Sequence, residues 1–228
     1  MRAFSIILAG GTGQRFGSDT PKQYIEVKGT PLFMYSVRKF ASFAPVEKIV
    51  LVISPQWESY VREAIDKETL SGKVLFAHAG GSRQQSVLSG LQALEGIADD
   101  GDAVFVHDSV RPLFPLSNLT EGLAALEEYD AALPVISVKD ATYRSADGEA
   151  LTAILPRSEL YSGQSPECLR YGPFLAAHGQ FSAGEIAAIR GCSELAFRAG
   201  LRVKLIAGIE QNFKITTKED LQAFTLLV

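Results

Sequence analysis

Arg15 and Lys22 are two cations in a loop made largely of small residues, a combination suited to holding a polyphosphate. Residues Ile6 to Lys22 read Ile-Ile-Leu-Ala-Gly-Gly-Thr-Gly-Gln-Arg-Phe-Gly-Ser-Asp-Thr-Pro-Lys, with Asp19 the only other charge. Gly10, Gly11, Gly13 and Gly17 let backbone N–H groups approach anionic oxygens closely. The cations can then neutralise charge that develops on phosphorus. A glycine-rich turn after a first strand is also an ordinary connection, so the loop alone leaves both meanings open.

Two familiar phosphate fingerprints do not fit. Gly11, Gly13 and Gly17 space as G-x-G-x-x-x-G, one residue longer than the dinucleotide motif. The next strand-like run, Lys48 to Ile53, ends in Ser54 and Pro55 rather than in the acidic residue that would hold a ribose 2′-hydroxyl. A P-loop closes on Gly-Lys-Ser/Thr, whereas Gly17 is followed by Ser18 and Asp19.

Three further segments carry polar chemistry. In Gly80-Gly81-Ser82-Arg83, ahead of a helix expected near Gln84, free N–H groups can receive a ligand's polar atoms and Ser86 can add a hydroxyl; Ser82 reads equally well as a helix N-cap. In His107-Asp108-Ser109-Val110-Arg111-Pro112, Asp108 follows a strand and would face the crevice, where it can accept from ribose hydroxyls or hold Mg²⁺ through water. His107 reads as structural, and Arg111 as a charge that orients the loop. In Gln211-Asn-Phe-Lys-Ile-Thr-Thr-Lys-Glu-Asp220, Thr217 and Asp220 have capping-box spacing, and Lys214 stands alone in an apolar stretch where a surface lysine is the plain explanation.

Short apolar runs alternating with helical stripes position these segments. Strands are expected at Ala3–Leu8, Lys48–Ile53, Lys73–Ala77, Ala103–His107, Ala131–Val135 and Val203–Ala207. Core-facing stripes are Trp57/Val61/Ile65, Val87/Leu88/Leu91/Leu94 and Leu119/Leu123/Leu126. The pattern predicts an α/β fold with a mostly parallel sheet flanked by helices. Val138 to Ile154 breaks the rhythm, is polar and contains Asp147-Gly148, so it reads as a β-arm leaving the sheet.

With 228 residues and 46% apolar content, the chain predicts one domain over residues 1–228, its arm at about 138–157. A formal charge of −4 gives no support for binding nucleic acid or a membrane surface. Cys168 and Cys192, far apart and without a CxxC, read as two buried thiols. The expected location is the cytoplasm, because no run reaches the ~20 residues of a membrane span and no leader is visible.

Read together, Leu8-Ala-Gly-Gly-Thr-Gly-Gln-Arg15, Pro21-Lys-Gln-Tyr24, Gly80-Gly-Ser-Arg-Gln-Gln-Ser-Val87, His107-Asp-Ser-Val-Arg-Pro112, Gln164-Ser-Pro166 and Asn212-Phe-Lys-Ile-Thr216 resemble the CTP-dependent cytidylyltransferases that act on sugar-alcohol phosphates. The resemblance spans nearly the whole chain and implies a Rossmann-like nucleotidyltransferase fold. It implies transfer of CMP from CTP with release of pyrophosphate and with Mg²⁺ as cofactor. The main acceptor is 2-C-methyl-D-erythritol 4-phosphate, in non-mevalonate isoprenoid synthesis; the alternative is ribitol 5-phosphate, giving CDP-ribitol for cell-surface polymers. Carried over by residue, it implies that Ala9, Gly10, Gly11 and Gly13 wrap CTP while Arg15 and Lys22 bind its triphosphate. Gly81 and Ser86 would read cytosine, Asp108 would meet the ribose and the metal region, and Lys214 would contact the α-phosphate or the acceptor phosphate. Arg157, with Ala141 and Thr142, would reach the acceptor in a neighbouring subunit, implying a homodimer built by arm exchange.

The chain departs from the family pattern in places. Ala141 stands where a threonine usually contacts the acceptor, with Thr142 next; the usual Thr-Asp-Glu-Ala block is replaced around Arg190-Gly-Cys-Ser-Glu194; and the cytosine loop is one residue short. Tyr161-Ser-Gly-Gln-Ser-Pro166 and the His107 segment lean towards the ribitol-phosphate relatives. Two other readings stay open: a UTP- or GTP-dependent nucleotidyltransferase of the same fold, and a nucleotide-binding module without turnover.

Overall fold

In the computed structural model, which describes residues 1–11, 16 and 20–228, the apolar runs build one mixed, mostly parallel sheet. In chain order the elements begin with β1 (Ala3–Leu8), the short hairpin β2 (Glu26–Val27) and β3 (Thr30–Pro31), and α1 (Leu32–Ser42). Then come β4 (Val46–Ile53), α2 (Glu58–Lys67), β5 (Val74–His78), α3 (Arg83–Gln92), β6 (Ala103–Asp108), α4 (Leu116–Ala125) and β7 (Ala131–Ser137). They are followed by β8 (Thr142–Arg144), β9 (Ala153–Leu155), β10 (Tyr161–Gly163), β11 (Glu167–Arg170), α5 (Tyr171–His178), α6 (Ala183–Ala188), α7 (Cys192–Arg198), β12 (Val203–Ala207) and α8 (Lys218–Leu227).

β1 lies between β4 and β6, all parallel, and β5 extends the sheet beyond β4. Such strands are covered on both faces, which is why they read as continuous apolar runs. Alternate residues feed two cores. Ile7, Leu51 and Phe105 pack with Phe33, Phe40 and Leu119 from α1 and α4. Phe4, Val52 and Val104 pack with Val87, Leu91, Phe174 and Leu195 from α3, α5 and α7.

The six expected strands are present, Ala3–Leu8 and Val203–Ala207 with the expected ends and the other four with ends shifted by at most two residues. β11 was not expected: it runs antiparallel between β6 and β7, while β10 pairs further along β7 and β12 pairs β7 in parallel. The arm forms as expected. β8 and β9 pair antiparallel apart from the main sheet, and Gly148 adopts φ +82 beside Asp147, whose carboxylate accepts from the Glu149 and Ala150 N–H groups. Both cysteines are free and buried. Among the described residues no helix is long and apolar enough to cross a membrane.

Candidate active site

The carboxyl ends of β1, β4 and β6 and the loop after β5 surround a cavity of about 670 Å³, a volume suited to a nucleotide-sized ligand. Two glycines sit where a side chain has no room. A Cβ on Gly10 would stand 2.3 Å from the Ala79 Cβ, and one on Gly80 would stand 2.5 Å from the Gln85 Cβ. The chain therefore brings bare backbone to the cavity wall on both sides.

Beneath the glycine loop, the start of Pro21-Lys-Gln-Tyr acts as a clamp. The buried Gln23 Nε2 donates to the carbonyls of Ala9 (2.8 Å) and Gly11 (2.6 Å), and the Tyr24 hydroxyl donates to the Ala9 carbonyl at 2.7 Å. Lys22 Nζ donates to the Ile215 carbonyl at 2.7 Å, and the Ile215 N–H donates to the Val110 carbonyl at 2.9 Å. The segment bearing Lys214 is thereby sewn to both neighbouring loops. It is anchored further by a capping box at Thr217 and Asp220 and by Ile215 and Phe224 in a small core with Val27 and Leu32.

Asp108 is the hub of the cavity's charges. Its Oδ2 accepts from Lys214 Nζ at 2.8 Å and its Oδ1 from Arg83 Nη2 at 3.4 Å. Burial alone would raise this carboxyl's pKa, but the charges of Arg83 and Lys214 hold it well below the usual carboxylate range. His107 lies behind the wall, fully buried, between the hydroxyls of Ser36 and Ser165, each at 3.1 Å. Burial pushes its pKa down to about 3, so it is neutral at physiological pH and structural, as its sequence position suggested. Arg111 donates to the Asn212 carbonyl at 2.8 Å and orients its loop that way.

The cavity gathers most of the expected residues. Gly10, Gly11, Lys22, Gly81, Ser86, Asp108 and Lys214 all line it. Ala9 is buried beneath, its N–H given to the Val52 carbonyl. Gly13 and Arg15 lie outside the described residues. Ser82 is the N-cap of α3, and the Ser86 hydroxyl accepts from the Gly80 N–H and donates to the Ser82 carbonyl, each at 3.0 Å. Arg157, Ala141 and Thr142 are on or beside the arm and do not line this cavity. Sequence reasoning gave no role to Gln23, Arg83 or Glu167; Gln23 and Arg83 each gave a signal, as a polar residue in a block otherwise assigned to function, and Glu167 gave none.

Among the described residues no three His, Cys, Asp or Glu side chains converge to hold a metal. Among the described residues Asp108 is the only carboxylate in the lining, and each of its oxygens faces a cation. This donor set does not make a resident metal cage; it fits a divalent ion that is held mainly by a substrate's phosphates. With backbone at two walls and cations beside Asp108, the arrangement can bind a nucleotide and stabilise charge during phosphoryl transfer.

Residues 3–227 match the family described as IspD: 2-C-methyl-D-erythritol 4-phosphate cytidylyltransferase. The 2-C-methyl-D-erythritol 4-phosphate cytidylyltransferase of Geotalea uraniireducens (strain Rf4) is 35% identical over 228 residues, covering 97% of this chain and 94% of that protein. The bifunctional enzyme IspD/IspF of Rhizobium rhizogenes (strain K84 / ATCC BAA-868) is 38% identical over 222 residues, covering 95% of this chain and 53% of that protein. The chain thus spans about half the length of the bifunctional relatives it matches. The crystal structure of the Francisella tularensis cytidylyltransferase (IspD) superposes with a TM-score of 0.84 over 100% of both chains at 22% identity, a likeness of fold. Family match, relatives and site geometry agree: this chain belongs to the IspD family of 2-C-methyl-D-erythritol 4-phosphate cytidylyltransferases.

Proposed function

We propose that residues 1–228 act as one cytidylyltransferase domain that joins CTP to 2-C-methyl-D-erythritol 4-phosphate, giving 4-diphosphocytidyl-2-C-methyl-D-erythritol and pyrophosphate. The observation that carries this reading is the cavity itself, which Gly10 and Gly11 line together with Lys22, Lys214 and Asp108. An oxygen of the acceptor's phosphate attacks the α-phosphorus of CTP in line, and the bond to the bridging oxygen of the leaving pyrophosphate breaks. A phosphate monoester is already largely anionic at neutral pH, its second pKa being ~6, so the step needs no general base. This suits a cavity whose neighbouring histidine is buried and neutral.

The chain's part is positioning and charge. Arg15 and Lys22 hold the triphosphate, and Lys214 meets the α-phosphate or the acceptor's phosphate. Gly81 and Ser86 present the loop that reads cytosine, Asp108 faces the ribose, and Ala9, Gly10, Gly11 and Gly13 shape the wall around the nucleotide. A divalent ion such as Mg²⁺ would be held mainly by the triphosphate with Asp108 at hand, and would supply neutralisation of phosphate charge. Arg157, with Ala141 and Thr142, reaches the acceptor from the arm of a second copy, so the working form is a homodimer. The enzyme works in the cytoplasm.

A pyrophosphate-release assay tests the reading, with CTP, UTP or GTP against 2-C-methyl-D-erythritol 4-phosphate or ribitol 5-phosphate. The expected result is turnover with CTP and the erythritol phosphate, lost in excess chelator. Preference for ribitol 5-phosphate would move the enzyme to its relatives, and tight CTP binding without turnover would make it a binding module.

A further inference from the structure

Glu167 has no part in the transfer described above and does not line the cavity, yet it is a carboxylate with only 6% of its side chain exposed. A buried charge persists only where partners compensate it. β11 sets Glu167 opposite Val106, close to Asp108 on the adjoining strand β6. Its oxygens accept from the N–H groups of Cys192 (3.2 Å) and Ser193 (2.6 Å), and Oε1 also accepts from Arg83 Nη2 at 3.1 Å.

Arg83 is the link to the cavity. The same Nη2 reaches Asp108 Oδ1 at 3.4 Å, and Nη1 donates to Cys192 Sγ at 3.2 Å. One guanidinium is shared between two carboxylates and sits nearer to the one outside the cavity. Without Glu167, its remaining carboxylate is Asp108, and a guanidinium fork closes readily on a carboxylate. That closure would occupy Oδ1. Because Oδ2 already accepts from Lys214 at 2.8 Å, Oδ1 is the oxygen better placed for a nucleotide hydroxyl.

We propose that Glu167 is a positioning residue that draws the Arg83 guanidinium towards itself, keeping its contact with Asp108 Oδ1 at a long 3.4 Å so that this oxygen can also accept from the nucleotide. The inference rests on the cytidylyl-transfer reading for the identity of that nucleotide. It also gives a task to the Arg190–Glu194 departure, since Cys192 and Ser193 are where the two oxygens of Glu167 are fastened.

Three accounts of Glu167 differ in sign. If it only adds negative field near an anion site, Glu167→Gln tightens CTP binding. If it only fastens α7, the substitution lowers thermal stability and leaves CTP binding alone. If it positions Arg83, the isosteric Glu167→Gln raises the CTP KM and Kd about tenfold, while the acceptor KM stays within about twofold. A carboxylate supplied to Arg83 from its other side, by adding Cys192→Asp, then returns the CTP values to within about threefold of wild type. CTP Kd by calorimetry reads these shifts even without turnover, so failure of the transfer reading shows as an inactive wild type and stays separate. A folded Glu167→Gln enzyme with unchanged or tighter CTP binding overturns the proposal. Should that variant not fold, the doubly substituted chain decides: near-native CTP affinity supports the role, and a tenfold loss overturns it.

Discussion

At the cavity, the described charged side chains are already held: Lys22 by the Ile215 carbonyl, Lys214 by Asp108, and Asp108 by Lys214 and Arg83. On the arm, Arg157 is exposed and donates to the Lys139 carbonyl at 3.1 Å, while Tyr143 and Ile154 are 61% and 68% exposed with no core beneath them. The cavity groups are fixed by a sheet buried on both faces; the arm groups hang on a hairpin. Preorganised charge is what phosphoryl transfer needs, and the described cavity groups can offer it from within one chain. Side chains on an unsupported hairpin gain a fixed position only against another surface, and the apolar exposure of the arm points the same way.

The largest expected effect is at the cavity. Lys22→Ala and Arg15→Ala should each lower turnover at least ~100-fold with an unchanged circular dichroism spectrum, because in the proposed reading each removes a charge that stabilises the transition state. Folded variants with near-normal turnover would erase the contrast with the arm.

Next comes Arg157→Ala, expected to raise the acceptor KM about 10- to 100-fold, the worth of a charge-assisted contact, while the CTP KM changes little. A raised CTP KM instead would mean the arm serves the nucleotide end.

The cavity's buried support should also show in pH dependence. His107 has an ordinary pKa of 6.5 when unfolded and about 3 in the fold. Below pH 6.5 the unfolded chain therefore binds the proton first, so stability is full above 6.5 and declines as pH falls towards 3, by up to ~1.4 kcal/mol per unit. Urea unfolding across that window measures the slope, and His107→Gln should flatten it.

The smallest effect is expected at the support of Lys214. Thr217→Ala removes the capping box of α8 and should lower stability by ~1 kcal/mol in urea unfolding, with turnover within about threefold.

How much of this was legible depended on the distance over which residues act. β1, β4 and β6 announced themselves because strands buried on both faces are continuous apolar runs, and Thr217 with Asp220 announced a helix start because a capping box is local. β11 did not, since Glu167-Cys-Leu-Arg has neither an apolar run nor polar alternation. With β11 unseen, the Glu167–Arg83 pair, 84 positions apart, had no visible cause. Lys214 looked like a surface lysine for the same reason: its carboxylate partner lies 106 positions away. The glycine loop and Asp108 were legible as chemistry because their residue types carry it directly.

The central claim, a nucleotide site in one copy completed by the arm of another, is tested most directly by mixing two impaired enzymes, assayed with the acceptor well below the KM of the Arg157→Ala variant. Lys22→Ala subunits keep a sound arm, and Arg157→Ala subunits keep a sound cavity. After subunit exchange, each mixed dimer contains one site built from the intact cavity and the intact arm. Equal mixing should therefore recover about a quarter of wild-type activity, half the dimers being mixed and each having one of its two sites intact. No recovery, with exchange demonstrated and both parents strongly impaired at that acceptor concentration, would contradict the shared site.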